Sequence, residues 1–345
     1  MANRNQKGQH FLLTSAAKDL SVIDLAMKSE NECRDMFAKI RWSATNGTPV
    51  CPHCGTVDNY WFLPSTSRYK CKACKKQYSV TSGTIFADRK MSFKHYLVGI
   101  FLFANKVKGS SMVELSRTLK VNYKTAFLLS HKIRASIIDT QDEEKFDGVC
   151  EIDAVHTNMY IRPKNNISDR IDRRKAEKPN KRAIVVTRLR ADENSNMVGA
   201  VKTKTDITIG EKAKDMEYIA LKNIKIGNEI HTDEADAFKP LHESFERKIV
   251  NHSWEYSSQE GYNNNQAESF NARFRRMVAG QHHHISTLYL SNYAAEVAYR
   301  EDTRRFTNGD IFNDLLTRCL ETPPHNEWRG YHHGNHRVAE RLVAA

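Results

Sequence analysis

At Gly148-Val-Cys-Glu-Ile-Asp-Ala-Val-His156 the chain changes its period. Upstream, apolar residues recur at helical spacing. From Val149 they alternate, as in a strand with two different faces. Cys150, Ile152 and Ala154 share one face, and Val149, Glu151 and Asp153 the other, so an acid projects from a regular element. Residues 183–189 and 196–202 show the same strand propensity, with a long basic stretch, 158–181, read as a flexible loop between the first two strands. Helical patterns follow over 209–221, 236–246, 265–279 and 286–306, with a short buried strand at 229–232. Strands first and interleaved helices after predict an α/β layered domain over 148–306.

Upstream of that domain the chain is punctuated differently. Residues 1–48 read as a helical segment, closed by the breaker Gly47-Thr48-Pro49. Residues 49–90 hold Cys51-Pro-His-Cys54 and Cys71-Lys-Ala-Cys74, two C-x-x-C pairs separated by 16 residues. That interval suits one structural zinc ion, because each pair brings two thiolates to a shared centre and four complete a tetrahedron. So short a segment has too little core of its own, and zinc binding supplies much of its stability. Cys33, Cys150 and Cys319 are expected to be buried thiols.

Residues 91–140 are helical again. Ser92 is placed to cap a helix through Asn105, and Ser111–Leu119, Lys120-Val-Asn122 and Tyr123–Ile138 read as helix, tight turn, helix. The run Glu114-Leu-Ser-Arg-Thr-Leu-Lys-Val-Asn-Tyr-Lys-Thr-Ala126 resembles helix-turn-helix sequences, with Asn122 capping the second helix. The same pattern also describes an ordinary helical hairpin. With Ala126, Leu129 and Ile133 on one face, Tyr123, Lys124, His131 and Arg134 are expected to be available to a groove. Residues 139–147 form an acidic linker, and 307–345 a C-terminal helix and a loosely held tail.

The net charge of +12 is local. Residues 61–140 carry 15 Lys or Arg against three acids, and 161–190 carry 11 against three, while outside the first stretch the chain balances at 38 against 38. Concentrated cationic charge attracts a polyanion. Lys70, Lys72, Lys75 and Lys76 surround the second cysteine pair and suit phosphate contacts. The longest apolar run is nine residues, well below the roughly 20 of a membrane helix. With no apolar stretch near the N-terminus, a cytoplasmic protein is expected.

Three acids stand where ligand chemistry gathers. Asp153 is on the first strand, Asp233 follows the strand at 229–232, and Glu268 lies on a helix with Asn265, Ala272 and Arg275, opposite the apolar stripe of Phe270, Phe274 and Met277. Converging carboxylates are the donors that Mg²⁺ or Mn²⁺ prefers, and two such ions activate phosphodiester chemistry. Glu151, Glu234 and Asp236 compete for the same assignment on composition alone.

Taken together these motifs resemble the zinc-ribbon DDE transposases of bacterial insertion sequences, the ISXO-type group, from about Gln9 to Phe306. The resemblance is carried by Cys51-Pro-His-Cys54-Gly55, Tyr69-Lys-Cys71, Gln77-Tyr-Ser-Val80, Thr81-Ser-Gly-Thr-Ile-Phe86, Glu151-Ile-Asp153, His231-Thr-Asp233, Asn265-x-x-Glu268-Ser-Phe270 and Tyr293-x-x-Glu296-x-x-x-Arg300. It implies an RNase H-like catalytic domain with a mixed sheet flanked by helices, and Asp153 and Asp233 as the first two metal ligands. Either Glu268 or Asn265 is the third, and the 34-residue interval favours Glu268. It implies a partner in double-stranded DNA, both the terminal inverted repeats and the target, at least a dimer on DNA, and association with the nucleoid. Arg275 replaces the usual Lys, and Ala154-Val-His-Thr157 departs from the usual Glu-Thr-Tyr. These departures support a second reading, a DNA-binding protein with an inactive catalytic domain.

Overall fold

The computed structural model describes residues 11–158, 164–170, 181–192, 197–250 and 262–343. Two compact units divide them: residues 11–141 with 305–337, and residues 142–304 with 338–343. Most of the basic loop read at 158–181 lies outside the described residues.

In the first unit, helices α1 (Val22–Met27) and α2 (Glu30–Arg41) start at serines. Ser21 with Asp24, and Ser29 with Glu32, each exchange side-chain and backbone hydrogen bonds, which fixes both starts locally. Glu30 also accepts from the N–H groups of Phe93 and Lys94, at 2.6 and 3.2 Å, and so ties α2 to the start of α3 (Phe93–Asn105). Strands β1 (Tyr60–Leu63), β2 (Arg68–Cys71) and β3 (Gln77–Tyr78) form an antiparallel sheet in that order. Tyr69 is its core: the rings of Trp42, Tyr60, Phe62 and Tyr78 lie 4.9–5.8 Å from it.

Helices α4 (Met112–Leu119) and α5 (Tyr123–Asp139) are joined by a turn with Lys120 in the left-handed region, and the Asn122 side chain accepts from the N–H of Lys124 at 2.8 Å. Both pack with α3, and α5 also packs with α9 (Asn308–Glu321). Gly99 sits at the tightest point, where a Cβ would meet Leu129 Cδ2 at 2.5 Å and Leu119 Cδ1 at 3.3 Å. The segment after Thr322 is not loose, as the sequence had suggested. Ile85 donates to the Thr322 carbonyl, Trp328 is buried, and Tyr331 stacks on Phe127 at 5.5 Å. Its buried anchor, Trp328, is a large ring able to bury substantial area.

The second unit is built on a mixed five-stranded sheet in the order β6-β5-β4-β7-β8. Its strands are β4 (Cys150–Asn158), β5 (Lys181–Arg190), β6 (Ala200–Thr208), β7 (Glu229–Thr232) and β8 (Glu246–Ile249). The first three run antiparallel, and β4–β7 and β7–β8 are parallel. Cys150 and Ile152 face helix α6 (Ala213–Asn223), whereas Val155, Ile184 and Val186 lie under α7 (Asn265–Met277) and α8 (Leu290–Asp302). The alternation read from Val149 onward is therefore the division between two cores.

Two expectations need correction. The helix expected over 236–246 is a 3₁₀ helix, Asp236–Glu243, with Pro240 inside it, and the chain then enters the unforeseen strand β8. Proline removes the helical N–H and crowds the preceding turn. The strand expected at 196–202 begins instead at Ala200, after Gly199 at φ +79°, and runs to Thr208. Among the described residues no helix is long and apolar enough to cross a membrane.

Gly99→Val is expected to lower stability by about 1–3 kcal/mol through overpacking, read as a lower denaturation midpoint in urea at unchanged slope.

Candidate active site

The four paired cysteines converge. Their Sγ atoms all lie within 4.8 Å of one another, with Cys51–Cys74 at 3.7 Å and Cys54–Cys71 at 3.6 Å. Each pair is shaped by the same backbone device. Cys51 N–H donates to the Thr56 carbonyl and Gly55 N–H to that of Cys51; Cys71 N–H donates to Lys76 and Lys75 N–H to Cys71. Gly55 and Lys75, each one residue past its pair, both turn at positive φ. Four soft donors in a closed set suit structural zinc and leave no position for a substrate.

The carboxylate centre is assembled from β4, the end of β7, and α7. On β4, Asp153 accepts from its neighbour's N–H (Ala154, 2.7 Å) through Oδ1 and from Asn271 Nδ2 (2.7 Å) through Oδ2. Asp233 follows β7, the parallel neighbour of β4, and its Oδ1 accepts from Ala235 N–H at 3.0 Å. Burial pushes the Asp153 carboxyl up to about 7; the Ala154 N–H opposes this, and the negative charges of Asp233, Glu211 and Glu268 add to it. The charges of Asp233, Glu211 and Glu268 are thus all felt at Asp153. Among the described residues only the cysteines form a group of three or more such donors with every ligand atom within 4.8 Å. The carboxylates share a field without reaching that separation.

What delivers Glu268 is a clamp on the first turn of α7. Asn264, the residue before the helix, makes no side-chain cap. Glu151, fully buried on β4, does so instead: Oε2 accepts from Gln266 N–H at 2.7 Å and Ala267 N–H at 2.9 Å. A carboxylate there satisfies otherwise orphaned N–H groups and complements the helix dipole. Arg188, opposite Glu151 on β5, donates to the Gln266 carbonyl at 2.7 Å, and Gln266 Oε1 accepts from Ala200 N–H on β6 at 3.2 Å. Arg190 holds Glu151 Oε1 at 3.2 Å and Asn263 Oδ1 at 3.0 Å. Glu151 is therefore committed to the helix. Glu234 and Asp236 are exposed, the latter paired with Lys239 at 2.8 Å.

Asn265 and Arg275 are exposed on α7, Glu268 is half-buried, and Phe270, Phe274 and Met277 are buried as the apolar stripe required. Asp153 takes its amide partner from Asn271, which sequence reasoning missed although it lies three residues past Glu268 on the same side of the helix. Glu211 was also missed. It precedes α6 and pairs with His156 at 2.9 Å, so only the fold brings it to Asp153.

The cationic residues separate into two groups. On the ribbon, the Nζ atoms of Lys70, Lys72 and Lys75 lie 6.0, 5.7 and 5.1 Å from the exposed Trp61 ring, and Lys76 is exposed nearby in sequence. Trp61 lies within an aromatic run, and its sequence alone did not distinguish an outward ring from a core ring. On α5, Tyr123 and Lys124 are exposed as expected, but His131 and Arg134 are fully buried. His131 stacks on Trp328 at 5.3 Å and Arg134 lies 5.6 Å from the Phe103 ring centre. The expectation that these two face a groove is corrected: the helix is covered on more than its Ala126–Leu129–Ile133 face.

A closed four-cysteine cluster and a carboxylate centre on a mixed sheet define a two-part, metal-associated α/β protein. Residues 28–77 match the transposase zinc-ribbon domain and residues 145–302 the ISXO2-like transposase domain. Over these two stretches the chain carries the domains of the zinc-ribbon transposases of insertion sequences, the ISXO-type group. It is similar to a Halobacterium salinarum protein described as an uncharacterized protein in transposable element ISH50, with 22% identity over 303 residues, 85% of this chain and 97% of the relative.

Two outcomes follow. Cys51→Ser, or zinc withdrawal by a chelator, is expected to open residues 51–78 to proteolysis, with one zinc per chain found by metal analysis of the untreated protein. Glu151→Ala is expected to cost about 3 kcal/mol in urea denaturation, because Arg190 and the helix N–H groups lose a buried partner, and to speed amide exchange at 266–268.

Proposed function

We propose that this protein is a DNA transposase, in which the unit carrying the mixed sheet cleaves and joins DNA strands and the zinc-bearing unit grips the element's terminal repeats. The strand order, three antiparallel strands with two parallel ones beside β4, supports an RNase H-like catalytic domain at 148–306. The observation carrying the chemistry is Asp153, a half-buried carboxyl on β4 held by Asn271 and exposed to the charges of Asp233 and Glu268. Carboxylates crowded in this way favour cations, and hard oxygen donors fit Mg²⁺ or Mn²⁺.

In this reading Asp153, Asp233 and Glu268 hold two divalent ions. When bound, the ions supply Lewis-acid activation of the attacking oxygen and stabilisation of the leaving one. The chain's own residues position. Asn271 fixes the Asp153 carboxylate through Oδ2, leaving the remaining lone pairs of both oxygens for ligands. Glu151 and Arg188 fix the helix that brings Glu268, and Arg275, exposed on that helix, suits a phosphate in bidentate fashion. Water attack on the phosphodiester at the element's end would break its P–O3′ bond, leaving a 5′-phosphate and a 3′-hydroxyl. That hydroxyl would then attack a target phosphodiester, forming a new P–O3′ bond and releasing the target strand's own 3′-hydroxyl.

Repeat binding is assigned to the ribbon over 49–90, through Lys70, Lys72, Lys75, Lys76 and the Trp61 ring, and to a helix-turn-helix within 91–140, through Tyr123 and Lys124. Flexible cations beside an exposed ring suit phosphates and an adjoining sugar or base. Holding two element ends together calls for at least a dimer on DNA, acting at the nucleoid in the cytoplasm.

Asp153→Ala and Glu268→Ala are expected to lose Mg²⁺-dependent nicking and strand transfer on terminal-repeat DNA by about 100-fold or more, with gel-shift affinity within about twofold of the parent. Asn265→Ala is expected to cost less than Glu268→Ala. Full cleavage by the Asp153 variant would remove the assignment.

A further inference from the structure

A second site shares no residue with those above. Within the unit of residues 11–141 and 305–337, a cavity of about 590 Å³ opens between the segment before α3, helix α5 and residues 324–333. That volume suits one small organic ligand. Its walls are largely apolar and aromatic, including Tyr96, Leu128, Trp328 and Tyr331. Its charge is one-sided: four Lys or Arg line it, against Asp88 as the one acid among the described lining residues.

The central cation is Lys132. It is half-buried in the middle of α5 and lines the cavity, and among the described residues its ammonium has no hydrogen-bond or ion-pair partner. Burial pushes that ammonium down to about 8, only partly offset by the charges of Asp88 and Cys319. Leaving such a group unpaired is unfavourable, and an anion entering beside it would relieve the cost. Arg89 and Arg329 add positive charge, with Arg329 3.9 Å from Asp88 and mostly exposed.

We propose that this cavity binds one nucleotide unit, its phosphate on Lys132 and its base against the half-buried Tyr331 ring. Both halves of the ligand follow from the lining. A bare inorganic anion would satisfy Lys132 and leave the aromatic walls unfilled, whereas a purely apolar ligand would bury the ammonium still further. A flat heteroaromatic ring joined to a phosphate meets both requirements. The unit has two possible sources, a free nucleotide or a base unstacked from bound DNA, and only the second rests on the DNA-binding reading above.

The test uses the full chain and its Lys132→Met variant, which keeps side-chain volume and removes the charge; thermal denaturation checks that the variant is folded. Deoxyadenosine monophosphate and inorganic phosphate are titrated by calorimetry, and a single-stranded oligonucleotide carrying one 2-aminopurine is followed by fluorescence. Mononucleotide binding that exceeds phosphate binding and weakens about tenfold or more in Lys132→Met supports the proposal with a free nucleotide as ligand. A 2-aminopurine signal lost in the variant, without mononucleotide binding, supports it with DNA as the source. The proposal is overturned if neither probe responds, if phosphate binds as tightly as the nucleotide, or if the folded variant responds like the parent. Gel-shift affinity for the same oligonucleotide separates this failure from failure of the DNA-binding reading, since a strand that shifts without a 2-aminopurine change sinks the cavity alone.

Discussion

The carboxylate centre depends on one buried contact, the Glu151 carboxylate accepting two N–H groups at the start of α7. A helix start has strong donors with no partner in its own turn, and a buried one must find acceptors elsewhere. Here the acceptor comes from the strand that also carries Asp153, two residues on. The helix register is thereby tied to the strand register, and Glu268 and Asn271 are delivered to Asp153 together. Arg188 and the Ala200 N–H add hydrogen bonds from the next two strands, so the first helical turn is held by β4, β5 and β6.

The zinc-bearing unit solves a different problem. Its small sheet has one aromatic centre, Tyr69, and four thiols gathered by paired turns, so a metal supplies cohesion that apolar burial cannot. With the centre filled by Tyr69, Trp61 on the same short sheet is left outward among three lysines. Sheet alternation accounts for this, because neighbouring residues on β1 point to opposite faces.

Local signals were legible wherever the physics is local. Ser92 and Asn122 cap the helices they were read to cap, because a side-chain oxygen reaching a first-turn N–H requires only neighbouring residues. The cysteine spacing gave the cluster, and Cys33, Cys150 and Cys319 are buried thiols. Reading failed where the environment comes from afar. His131 and Arg134 occupy positions that a helical wheel leaves open, yet Trp328 and Phe103 cover them. Strand β8 followed a 3₁₀ helix with Pro240 inside it, and its pairing with β7 has no signature in its own four residues.

By itself the sequence determined the alternation that splits Cys150 and Ile152 from Glu151 and Asp153, the cysteine frame, and the two basic stretches. Each of these depends on spacing along one segment. Only the tertiary structure decided that Glu151 serves a helix terminus, that Asn271 holds Asp153, and that Glu211 adds its charge there. The reason is that a carboxylate's role follows from the donors and charges around it, and here those arrive from residues roughly 60 to 120 positions away, across loop closures whose cost grows only slowly with length.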